Sequence, residues 1–86
     1  MNIDHWDIKE INNVSNGTQR VYKFPNGMGA SVVCHDFSYG GDKGLWEVAV
    51  LDENGELSYF TPITNDVIGY QTDSQVTSIL KEIKSL

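Results

Sequence analysis

Eighty-six residues carry twelve acidic and six basic side chains, a net charge of −6, with 40% hydrophobic and 10% aromatic content. That is enough for one thin core, so residues 1–86 are read as a single domain, and the composition excludes a disordered polar tail. The acidity argues against direct nucleic-acid binding, which needs clustered Lys and Arg, and no apolar run exceeds Val48-Ala49-Val50-Leu51, far short of a membrane span.

The opening Met1-Asn2-Ile3-Asp4 lacks the basic start and apolar stretch of a secretory signal, so the expected location is the cytoplasm. Asn13-Val14-Ser15 and Asn16-Gly17-Thr18 match the glycosylation pattern, but a chain kept in that compartment does not use it. Residues 1–14 are ambiguous. Ile8, Ile11 and Val14 have helical spacing with Asp4 as a candidate cap, whereas Asn12-Asn13 and Asn16-Gly17 favour a short strand near Val14. The strand is the preferred reading.

Asn-Gly recurs at 16–17, 26–27 and 54–55, each copy between strand-like runs. The dipeptide is a hairpin signal, because both central residues of a type I′ turn need positive φ. The runs are residues 18–24 (TQRVYKF), 28–35 (MGASVVCH), 45–52 (LWEVAVLD) and 56–61 (ELSYFT). Arg20 and Lys23 place the first nearer an edge. The third has Leu45, Ala49 and Leu51 on one face and Trp46, Val48 and Val50 on the other, as a central strand at least partly covered on both sides would.

Residues 62–71 (PITNDVIGYQ) read either as a sixth strand or as a packed loop in which Ile63, Val67, Ile68 and Tyr70 bury what they can. Thr72-Asp73-Ser74-Gln75 fits a capping box, and Val76, Ile79, Leu80 and Ile83 then recur on a single helical stripe. Lys81 and Lys84 suit the end of that helix. A helix this short is marginal alone and must lie on the sheet. The fold class is therefore α+β, an antiparallel β-meander of four to five strands with one C-terminal amphipathic helix packed on a sheet face.

The connection HDFSYGGDKG, residues 35–44, is the segment whose role is least obvious. It does not meet the Walker pattern and leads into a strand rather than a helix, so it lacks the features of a phosphate loop. A long hairpin connection with glycines at positive φ is the plainest reading. The functional alternative is a displayed recognition loop with Phe37 and Tyr39 as aromatic anchors beside Gly40, Gly41, Asp42 and Lys43, and Trp46 at its base.

Catalytic readings fare poorly. Cys34 and His35 are adjacent on a strand and point to opposite faces, and His5 is the only other histidine. A lone thiol beside two separated histidines gives no metal-ligand spacing, and Cys34 reads as a small apolar residue. Asp52, Glu53 and Glu56 border a hairpin tip, Asp66 and Asp73 flank the last connection, and Trp6 and Trp46 suit the core. The expectation is no enzyme, no cofactor and no metal.

At FPNGMGASVV and YGGDKGLWEVAVLDENGELSYFTPITNDVIGY the chain resembles a group of small uncharacterised proteins encoded by tailed bacteriophages, over residues 21–80. Relatives of that kind lead us to expect an aromatic where this chain has Met28 and a basic residue where it has Cys34. The resemblance implies an accessory protein made in an infected bacterial host cell. By analogy with small acidic phage proteins that bind and block a host protein, including defence nucleases, the resemblance implies such a role here. The expected function is thus a protein-binding module, possible inhibitor of a host protein, with direct nucleic-acid and membrane binding excluded. The alternative is a small-molecule or nucleotide-signal sponge, in which the loop glycine amides and Lys43 hold an anion while Tyr39 or Trp46 stacks on a base. A homodimer would help such a small domain enclose a ligand.

Overall fold

Alternating apolar side chains give each strand one face to bury, and the tight turns that join the first three strands force those neighbours into antiparallel pairs. In the computed structural model, which describes residues 8–14, 16–58, 61–64 and 66–86, the strands are β1 (Ile8–Val14), β2 (Gly17–Lys23), β3 (Gly29–Cys34), β4 (Trp46–Leu51) and β5 (Val67–Gln71). They pair in sequence order as one antiparallel sheet. The helix α1 (Asp73–Lys84) packs on β3, β4 and β5. The α+β meander expected from the sequence is the fold.

One face of the sheet and the helix stripe make the core. Tyr22, Phe24, Ala30, Val32, Val48 and Val50 meet Val76, Ile79, Leu80 and Ile83, and Trp46, Ile63 and Ile68 pack at its margin. Each fully buried aliphatic side chain contributes about 1.5–3 kcal/mol. The helix starts where the capping box puts it, with Thr72 Oγ1 accepting from the Gln75 amide at 3.3 Å and Gln75 Oε1 accepting from the Thr72 amide at 2.8 Å. No helix among the described residues is long and apolar enough to cross a membrane.

The opposite face is mixed. A ladder runs over it from Asn12 to Gln19 (3.2 Å) and from Gln19 to Ser31 (2.9 Å), beside half-buried Val21, Val33, Ala49 and Leu51. The helix thus covers one face of β4 only.

Three expectations need correction. The β2–β3 and β4–β5-side hairpins are not type I′ turns. Phe24 and Asp52 each accept from the glycine three residues on, at 3.0 Å, and only Gly27 and Gly55 have positive φ. Both are three-residue loops closed by a glycine bulge, since Pro25 and Glu53 each add a residue that a two-residue turn has no room for. Second, β2 is not itself an edge strand but lies one in from it, because β1 pairs with its residues Gly17 to Tyr22. Its charges are accommodated locally, with Arg20 over the Trp46 ring at 5.0 Å and Lys23 Nζ donating to the Gly27 and Glu53 carbonyls.

Third, of the strand expected over residues 56–61, the described residues show one bridge, Leu57 opposite Leu51, with the Ser58 amide on the Val50 carbonyl at 2.8 Å. Pro62 has no amide to donate, and the Thr61 hydroxyl turns the chain by accepting from Thr64 N at 3.3 Å. The chain returns as β5, Ala49 opposite Val67, to fill the rest of the same edge. Tyr59 and Phe60 from that expected strand lie outside the described residues, as do Asp4, His5, Trp6 and Ser15.

Candidate recognition surface

The β3–β4 connection is ordered by its own backbone. The Ser38 hydroxyl accepts from His35 N at 2.9 Å and donates to His35 O at 3.0 Å, and Phe37 N donates to His35 Nδ1 at 3.1 Å. Gly41 N then donates to Ser38 O, and a 3-10 turn over Gly41–Lys43 closes on the Gly40 carbonyl, which accepts from both Lys43 and Leu45 at 3.0 Å.

Two glycines make this compactness possible. Gly40 is buried at φ 94, and a Cβ there would come 2.9 Å from Tyr70 Cα. A Cβ on Gly41 would run into the His35 carbonyl oxygen. The loop therefore leans on β5 rather than standing away from the sheet.

From this frame the aromatic side chains project into water. Phe37 is 83% exposed and Tyr39 62%, where most large apolar side chains are buried. The Phe37 ring makes one edge contact, to His35 at a centroid distance of 6.5 Å. Tyr39 is pinned at both ends of its peptide unit, its amide donating to Glu47 Oε2 at 2.7 Å and its carbonyl accepting from Tyr70 N at 3.0 Å.

A third exposed ring comes from β5. Val48 faces Ile68 but Trp46 faces Gln71, so β5 has one more residue than β4 across this interval. That bulge holds Gly69 and Tyr70. Gly69 lies against Tyr39, whose Cβ a side chain there would strike. Tyr70 takes the left-handed conformation at φ 57 and is 55% exposed. Sequence reasoning placed Tyr70 among residues that would bury themselves. Its apolar ring gave that reading, and only the adjacent glycine hinted at a bulge.

The other singled-out residues separate into two groups. Phe37, Tyr39, Gly40, Gly41, Asp42 and Lys43 share the connection, with Asp42 and Lys43 exposed and Asp36 accepting from Asn16 Nδ2 at 3.0 Å. Trp46 stands apart from Glu47 and Tyr39 on the helix face, its Nε1 donating to Asp73 Oδ1 at 2.7 Å beneath Arg20. Alternation along β4 sends Trp46 and Glu47 to opposite faces. Cys34 Sγ lies 3.9 Å from the Gly41 carbonyl while His35 Nδ1 holds Phe37, so each has its own local partner.

The loop has little to offer an anion. The amides of Ser38, Gly41, Lys43, Gly44 and Leu45 donate to carbonyls of the loop itself, and that of Tyr39 to a carboxylate. A hollow of about 290 Å³ lies elsewhere, beside Glu10, Lys23, Leu51 and Glu53, and its lysine is already held by two carbonyls. Among the described residues no group of three His, Cys, Asp or Glu is placed to hold a metal ion.

No family model matches the chain, and neither does any curated protein or solved structure.

Proposed function

We propose that this chain is a small acidic accessory protein of phage type that binds, and thereby blocks, a protein of the infected bacterial cell through the connection between β3 and β4. One observation carries the reading. Phe37 and Tyr39 stand largely in water on a loop whose backbone is tied down on both sides.

A ring left in water forgoes about 1.5–3 kcal/mol of burial, which a partner can recover. Aromatic side chains near the centre of an interface are its commonest energetic anchors. A loop already ordered loses little freedom when it binds, so more of that gain appears as affinity. The net charge of −6 steers a basic partner and repels nucleic acid. Function in the cytoplasm of the host follows from the same reading.

The sponge alternative draws less support, since the Gly41 and Gly44 amides it needs are engaged within the loop and Glu47 places negative charge beside Tyr39.

Affinity capture from bacterial lysate tests the proposal, with wild type beside Tyr39→Ala and Asp42→Lys. The proposal expects a host protein retained by wild type and depleted by both variants. Capture of nothing, or equal capture by all three, contradicts it. A thermal shift with millimolar nucleotides or cyclic nucleotides would favour the sponge instead.

A further inference from the structure

We infer that Tyr39 and Tyr70 together form the seat for an arginine-bearing basic segment of the partner, with Tyr70 as a binding residue in its own right. This rests on the proposed binding function and names the chemistry that the surface receives.

The first support is the backbone of Tyr70. A bulky residue at φ 57 is an outlier, and the αL position of a bulge is ordinarily filled by glycine or asparagine. The neighbouring position is already a glycine, used for the close approach of Gly69 to Tyr39. The chain therefore holds a strained aromatic where a smaller residue would sit without strain, and the ring is turned outward rather than into the core. Strain kept at an exposed side chain points to a role for that side chain beyond packing.

The second support is adjacency. The hydrogen bond from Tyr70 N to Tyr39 O, 3.0 Å, ties the backbones of two exposed tyrosines from different elements side by side. Among the described residues neither ring is paired with another aromatic ring.

The third is charge. The connection bears Asp36 and Asp42 in solvent, the Glu47 carboxylate accepts from the Tyr39 backbone amide, and the whole chain is at −6. Lys43 and Arg20 are the nearby cations, and Arg20 is held over Trp46 on the other face. Exposed aromatic faces on an acidic surface favour a guanidinium over an ammonium, because the planar, weakly hydrated guanidinium stacks on a ring and keeps its edge donors for carboxylates.

Fluorescence anisotropy with labelled oligoarginine, oligolysine and oligoglutamate peptides of equal length tests the inference. Tyr70→Gly and Tyr39→Ala leave the net charge unchanged. We expect oligoarginine to bind more tightly than oligolysine, oligoglutamate not to bind, and each variant to weaken oligoarginine about tenfold. Tyr70→Phe should bind as wild type, and Tyr70→Gly should melt no lower than wild type. Should the glycine variant fold poorly, Tyr70→Leu keeps the bulk without the ring and is expected to bind as weakly. Equal affinity for oligoarginine and oligolysine, unaltered by any Tyr70 variant, would mean charge alone and overturn the inference, as would no binding. Host-protein capture that needs Tyr39 but is not displaced by oligoarginine would leave the binding function standing and remove this inference alone.

Discussion

The side-chain amide of Asn26 lies 2.9 Å from the carbonyl oxygen of Ile83, so the β2–β3 hairpin tip caps the carboxyl end of α1 from across the molecule. The same Nδ2 also reaches the carbonyls of Lys84 and Leu86, at 3.2 and 3.1 Å, while Oδ1 accepts from Met28 N at 3.0 Å. One residue thus shapes its own turn and satisfies carbonyls that a helix end leaves without partners.

Replacing this residue separates the two roles. Asn26→Ala loses both and should cost about 1–2 kcal/mol. Asn26→Asp keeps the turn acceptor but aims a negative charge at carbonyls and at the negative end of the helix dipole, so it should be less stable than the alanine variant. Urea midpoints order the three proteins. A stability for Asn26→Asp equal to wild type would mean that the cap contributes nothing.

Trp46 joins the sheet to the start of the same helix through Asp73, at 2.7 Å. Trp46→Phe keeps most of the apolar contact and removes the donor, and Asp73→Asn keeps the acceptor without its charge. The phenylalanine variant should lose about 1 kcal/mol, the asparagine variant less, as read from chemical denaturation. Because the pair is exposed at Asp73, high salt should narrow the difference between wild type and Asp73→Asn.

Two glycines in the connection make opposite predictions about space. Gly44 has φ 72 and open room around it, so Gly44→Ala should cost only the left-handed backbone, about 1–2 kcal/mol. Gly41→Ala drives a methyl into the His35 carbonyl and must displace the turn that presents Phe37 and Tyr39. It should lose stability and move the His35, Phe37 and Tyr39 resonances in an NMR spectrum, whereas Gly44→Ala leaves them in place.

In the core, Leu80 is fully buried against the sheet. Leu80→Ala should destabilise by about 2–5 kcal/mol, and calorimetry would show it as a lower melting temperature. No exposed aromatic of the connection should approach that loss.

What could be read from the chain was what local physics decides. The capping box at Thr72 and Gln75 and the stripe Val76, Ile79, Leu80, Ile83 involve residues within a turn or two of one another, and all stand as expected. Period-two alternation likewise put Trp46, Val48 and Val50 on one face, which is the face the helix covers. Competition for a shared edge was not legible. Leu57 takes Leu51 at one end of the β4 edge and Val67–Gln71 pairs with the rest, a division that strand character alone does not mark. Tyr70 was misplaced for a related reason, since a bulge depends on the register of two strands and leaves only a glycine as its mark. Within the candidate surface, Phe37 and Tyr39 could be named from the loop, but the third ring could not.

The central claim is that the exposed rings serve binding and not folding. Measuring urea stability and host-protein capture on the same Phe37→Ala/Tyr39→Ala protein tests it most directly. The account predicts stability within about 0.5 kcal/mol of wild type, as for exposed positions, together with loss of capture. A variant that is markedly destabilised, or one that is stable and captures its partner as well as wild type, would contradict it.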